Sequence, residues 1–158
     1  MERRELFSSL ASSFKKKEKQ EIILRPPYFD DESIFLTNCI ECDGICSTVC
    51  EENIIIIQDD KTPKLNFSIN GCTYCDECAN ACPHEVLTLE NKKNIQARIQ
   101  IDPSECLAWN DTMCFSCKDP CFDDAIDFVG MFNPTINYNC TSCGFCIKTC
   151  PTQAIKII

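Results

Sequence analysis

Hydrophobic and polar positions alternate along this chain in short bursts, separated by polar stretches that carry cysteine. The longest uninterrupted apolar run is four isoleucines, Ile54 to Ile57. Segments KLNFSI (64–69), ARIQI (97–101), PTINY (134–138), AIDFV (125–129) and AIKII (154–158) mostly place apolar or β-branched side chains at every second position. That period predicts short, half-buried strands. VLTL (86–89) and, more poorly, SIFL (33–36) complete the series. Helical periodicity is confined to Leu6, Leu10 and Phe14, which share one face of a short lysine-flanked segment near the N-terminus. Such a basic amphipathic arm suits docking on a partner or a membrane surface, or else frays in solvent. Arg25, Pro26, Pro27 and Tyr28 then form an extended connector, because paired prolines exclude helix.

Cysteine changes this picture. Sixteen of 158 residues are cysteine, a content that belongs either to a disulfide scaffold or to a metal-loaded protein. They fall in four groups whose first members, Cys39, Cys72, Cys106 and Cys140, recur with a period near 34 residues. Each group sits between an entering and an exiting strand, so the chain is an internal repeat. Group two is Cys72, Cys75, Cys78 and Cys82 followed by Pro83; group four is Cys140, Cys143, Cys146 and Cys150 followed by Pro151. Both have the C-x2-C-x2-C-x3-C-P spacing of bacterial ferredoxins, in which three close cysteines wrap one cube and the fourth reaches its neighbour. Group three, Cys106, Cys114, Cys117 and Cys121, stretches the first gap to seven residues that include Trp109. Group one, Cys39, Cys42, Cys46 and Cys50, has one extra residue in its middle gap and Glu51 in place of the proline. Gly44 in that gap can absorb a bulge.

Zinc sites join two C-x2-C pairs across a longer insert, and closely spaced cysteines pair poorly as disulfides, so four [4Fe-4S] clusters fit the spacing best. Sequential pairing has Cys50 exchange with Cys82 and Cys121 with Cys150; a nested pairing is the alternative. The resulting expectation is an α+β fold of tandem bacterial-ferredoxin-like repeats in two pseudo-symmetric two-cluster halves, 34–92 and 93–158, preceded by an arm and connector over 1–33. His84 reads as cluster packing or plain exposure rather than proton transfer. Trp109, Tyr74, Phe115 and Phe145 read as covers for the clusters. No nucleotide-binding or hydrolase motif appears, so no enzyme is expected.

Charge is divided unevenly. Residues 2–19 hold six basic against three acidic side chains, leaving nine basic against twenty-one acidic in the remainder. So acidic a body excludes nucleic-acid binding, which needs a basic face. With no apolar run of membrane length and no apolar leader before Lys15, the chain is expected to lack a transmembrane segment and to stay in a reducing cytoplasm.

The whole sequence resembles the NapF family of ferredoxin-type accessory proteins of periplasmic nitrate reductase. The resemblance is carried by Arg3-Arg4 with Leu6-Phe7, Arg25-Pro26-Pro27-Tyr28, Phe35-Leu36-Thr37 and, most specifically, Cys106-Leu107-Ala108 opening the seven-residue gap. It implies the same sixteen ligands and a cytoplasmic protein that contacts the precursor of the molybdenum-containing catalytic subunit and aids assembly of its iron–sulfur cluster before export. The alternative is a ferredoxin carrying electrons to or from a reductase.

Overall fold

The computed structural model describes residues 22–158, so the arm with Leu6, Leu10 and Phe14 lies outside the described residues. Two hydrophobic cores form along the chain. One gathers residues between Leu24 and Ile95, including Phe35, Ile54, Leu65 and Val86; the other gathers residues between Ile99 and Ile155. Short strands and single-turn helices surround them, an α+β arrangement.

The elements follow the apolar bursts. In the C-terminal part, strand β3 (Ile99–Ile101) pairs antiparallel with β6 (Ile155–Ile157), Ile99 opposite Ile157. Strands β4 (Ile126–Val129) and β5 (Phe132–Ile136) make a hairpin with a register shift between Asp127 and Val129. Gly130, at φ 66°, serves its turn. The first strand of this region thus pairs with the last and the middle two with each other. In the N-terminal part, β1 (Ile55–Ile57) pairs with β2 (Pro63–Leu65), Ile55 opposite Leu65.

Two expected strands are absent. SIFL lies in helix α1 (Ser33–Asn38), where Phe35 points into the core and Leu36 outward, a split that one helical turn provides. VLTL forms no ladder, and Leu89 opens a 3-10 turn, Leu89–Asn91. The connector stands where a strand would pair with it: Tyr28 C=O accepts from Thr88 N–H at 2.8 Å, and Pro27 C=O from Lys93 N–H at 2.9 Å. Pro26 and Pro27 have no N–H to return, so a two-way ladder cannot form.

That connector is packed rather than free. Arg25 through Tyr28 are buried. The Arg25 guanidinium donates to Thr62 Oγ1 at 2.8 Å and to Pro63 C=O at 2.7 Å, meets Glu32 at 3.2 Å, and lies 4.9 Å from the Phe35 ring centre. A buried guanidinium is tolerable only with partners of this kind. Phe35, fully buried, also meets the Phe29 ring edge-on at 5.2 Å. Phe35→Ala is therefore expected to cost about 3–5 kcal/mol in anaerobic denaturant unfolding. Exposed Leu36→Ala should stay within about 0.5 kcal/mol.

Candidate metal centres

Three of the four cysteine loops share one backbone device. Helices α2 (Ile45–Thr48), α3 (Glu77–Asn80) and α4 (Phe145–Thr149) carry Cys46, Cys78 and Cys146 at their second position. A left-handed residue two before that cysteine starts each helix: Gly44 at φ 71°, Asp76 at 69° and Gly144 at 87°. Counted from the third cysteine the three loops coincide, and the extra residue of group one, Asp43, is accommodated ahead of Gly44. Group three has no helix here but a run of turns at 116–120.

A second device follows all four groups. Asn53, Glu85, Asp124 and Gln153, each three residues after a fourth cysteine, have φ near 50°. The N–H groups of Asn53, Asp124 and Gln153 donate back to the carbonyls of Cys50, Cys121 and Cys150 at 3.0–3.2 Å. Glu51 and Phe122 follow their cysteines without disturbing this turn, so the left-handed residue and not proline shapes it. Beyond the turn, Ala125 N–H and Ala154 N–H donate to the sulfurs of Cys121 and Cys150, both at 3.2 Å.

These turns carry each fourth cysteine out of its own group. Cys82 lies electrostatically against Cys39 and Cys46, both beside Cys42. Cys50 joins Cys72, Cys75 and Cys78 around one cavity, closed by Pro26, Pro27, Tyr28, Ile54, Ile55 and Leu65. Cys121 joins Cys140, Cys143 and Cys146 around a second, lined by Ile99, Ala125, Ile126 and Ile136. Cys150 joins Cys106, Cys114 and Cys117 around a third, with Ile101, Leu107, Pro134, Ala154 and Ile155. The structure thus brings twelve of the sixteen predicted residues around three cavities, each with its fourth cysteine from the sequentially neighbouring group, and sets Cys82 within electrostatic reach of Cys39 and Cys46.

Burial dominates the electrostatics of these sets. Burial, followed by neighbouring thiols, pushes Cys46, Cys78 and Cys146 up to about 12. Burial likewise raises Cys72 and Cys117 to about 11. Cys150 differs. Burial opposes its ionisation, but hydrogen bonds from Thr152, Ala154 and Ile155 outweigh it and hold the thiol below its ordinary value. Four sulfurs packed this closely cannot all ionise unless a cationic core offsets them, and binding such a core releases their protons. No cysteine is disulfide-bonded. Among the described residues no three His, Cys, Asp or Glu side chains converge closely enough to hold one metal ion. Sulfurs spread around an apolar cavity fit a polynuclear [4Fe-4S] core better than a single zinc ion.

The aromatic covers expected from the sequence are placed elsewhere. Leu107, not Trp109, lines the cavity of Cys106, while Trp109 donates through Nε1 to Pro134 C=O at 3.0 Å and faces a surface groove beside β3 and β5. Phe115 packs on Phe128 at 4.9 Å and Phe145 on Phe122 at 5.8 Å. His84 is exposed. The actual lining, strand isoleucines and the connector, was visible in sequence only as apolar pattern. Tyr28 was not foreseen as a site residue. Its hydroxyl donates to Asp76 Oδ1 at 2.8 Å and accepts from Asp76 N–H at 3.3 Å, anchoring the left-handed cap of α3. Burial and then Asp76 push the Tyr28 phenol far above its ordinary range.

Comparison with known proteins agrees with this chemistry. A 4Fe-4S dicluster domain model matches residues 38–86, and a 4Fe-4S binding domain model matches residues 134–156. The ferredoxin-type protein NapF of Escherichia coli (strain K12) is 36% identical over 137 residues, covering 84% of this chain and 82% of its own length. NapF of Haemophilus influenzae is 34% identical over 157 residues, covering 96% and 88%. The ferredoxin-type protein NapG of Escherichia coli (strain K12) is 28% identical over 162 residues, covering 85% of this chain and 70% of its own. Matching domains and cysteine-ringed cavities together mean multiple [4Fe-4S] clusters in an α+β ferredoxin-like fold. The chain belongs to the NapF family of ferredoxin-type iron–sulfur proteins.

Proposed function

We propose that this protein carries four [4Fe-4S] clusters and serves as a cytoplasmic accessory or maturation factor for the catalytic molybdenum subunit of periplasmic nitrate reductase, aiding cluster assembly in its precursor. The observation that carries the reading is membership of the NapF family along most of the chain. Three cavities are ringed largely by cysteine and apolar side chains, which favours a service role over an enzyme. Among the described residues no helix is long and apolar enough to cross a membrane. When bound, each cluster supplies a one-electron couple whose potential the surrounding hydrogen bonds and burial set. The chain's own part is to hold and shield it: Cys39, Cys42, Cys46 and Cys82; Cys72, Cys75, Cys78 and Cys50; Cys106, Cys114, Cys117 and Cys150; Cys140, Cys143, Cys146 and Cys121. N–H groups such as those of Tyr74, Ala125 and Ala154 stabilise the thiolates.

A second reading, an electron carrier for a reductase, is favoured by the neighbouring cysteine sets. Affinity capture from cell extract separates the two. The accessory reading expects the full chain to recover the nitrate reductase precursor and a chain lacking residues 1–20 to recover much less. Recovery of no precursor by either rejects it, and turnover-rate cluster oxidation on mixing with a reductase would establish the carrier.

The ligand sets have their own test. The loaded chain should hold about sixteen iron atoms, and Cys50→Ala should reduce this to about twelve. Adding Cys72→Ala should remove no more, because both residues serve one site. Adding Cys39→Ala instead should leave about eight. The reverse pattern would show that Cys50 serves its own group.

A further inference from the structure

The loops of groups two and four meet at a seam whose fit is unusually close. Cys72 N–H donates to Cys143 C=O at 2.7 Å, and the Cys72 thiol lies within electrostatic reach of Cys143. Just before it, Gly71 is buried; a Cβ there would sit 2.6 Å from Phe145 N and 2.7 Å from Cys143 O. Both are backbone atoms, which cannot yield as a flexible side chain would, so only glycine permits this approach.

Just after it, Tyr74 is held at φ 55°, a conformation uncommon for a bulky side chain. Its hydroxyl donates to Thr141 C=O at 2.5 Å and accepts from Ile95 N–H at 3.1 Å, so one phenol clamps group four's loop and the segment between groups two and three. The seam continues at Gly144, where a Cβ would come within 2.4 Å of the Phe67 ring. Ser142, at φ 60°, donates from Oγ to Ala97 C=O at 2.6 Å.

The seam has a consequence for the order of the sites. Exchange of fourth cysteines makes neighbours of sites one and two, and of sites three and four. The Cys72–Cys143 contact makes neighbours of sites two and four. We propose that Gly71 and Tyr74 are positioning residues of a built junction, holding the sites of groups two and four together so that all four form one continuous row ordered one, two, four, three.

This rests on the cluster assignment above. One electron leaving a reduced core on one side restores that core to its oxidised state and reduces the receiving core by one; no bond changes and no proton moves. Electron tunnelling decays steeply with distance, so a seam closed by backbone contact favours exchange between the two halves, and the row's ends, groups one and three, become the natural exchange points with outside redox partners.

The test reads magnetic coupling rather than activity. In a chain carrying Cys39→Ala, Cys42→Ala, Cys106→Ala and Cys114→Ala, the two inner sites should retain about eight iron atoms. After anaerobic reduction with dithionite, its EPR spectrum should show the split, fast-relaxing signals of two interacting spins. Adding Gly71→Ala should weaken the splitting at unchanged iron content, and Tyr74→Phe should do so to a smaller degree. Two superposed simple signals at full iron content would overturn the junction. Should the quadruple variant fail to load, the full chain decides: Gly71→Ala must alter its reduced spectrum at about sixteen iron atoms, and an unaltered spectrum overturns the proposal. Failure of the cluster assignment is read separately, as an iron content of the unsubstituted chain far below that value.

Discussion

The crowding of four cysteines, most of them at least partly buried, around each cavity is the constraint on which the rest of this structure depends. Sulfurs so placed are costly to ionise without compensation: burial and mutual repulsion push several of them to about 11 or 12. A cationic cluster reverses that cost, and in a chain with two small cores its binding free energy becomes folding free energy. The polypeptide need then do little more than hold cysteines apart at the right spacing and keep water away. The short strands and single-turn helices are suited to that task.

The same constraint accounts for the economy of the loops. A left-handed residue before each short helix and another three residues past each fourth cysteine turn the backbone twice within a dozen or so positions. The second turn matters most, because it sends the fourth cysteine to the neighbouring set and ties two sites into one folded unit. Group one reaches this arrangement with an extra residue and without a following proline. Gly44 takes up the first difference, and the Asn53 turn makes the second unimportant.

The N-terminal half shows how a packed connector substitutes for a strand. Arg25 to Tyr28 present carbonyls to the chain leaving group two, while their prolines give no donors back. Stability then comes from side chains: the Arg25 contacts with Thr62 and Pro63, and the Tyr28 hydroxyl on Asp76. A stretch that reads in sequence as a linker places Pro26, Pro27 and Tyr28 in the wall of a cysteine-ringed cavity.

Much of this was legible in the residues alone. Ligand type and spacing are local properties, so C-x2-C-x2-C-x3-C-P announced its chemistry without any knowledge of the fold. The alternating exits AIDFV and AIKII marked β4 and β6, because a two-residue period reports one buried face. SIFL was misread as a strand because a four-residue apolar run carries too little periodicity to separate a strand from a helical turn. The aromatic residues inside the loops were misplaced because a side chain's neighbours depend on contacts distant in sequence. Residue type and spacing alone thus carry the kind of metal chemistry and the four cysteine groups. Which cysteines share a cavity, that the connector belongs to the core, and that Cys72 and Cys143 meet come from the folded chain, since each is a long-range contact that no local spacing encodes.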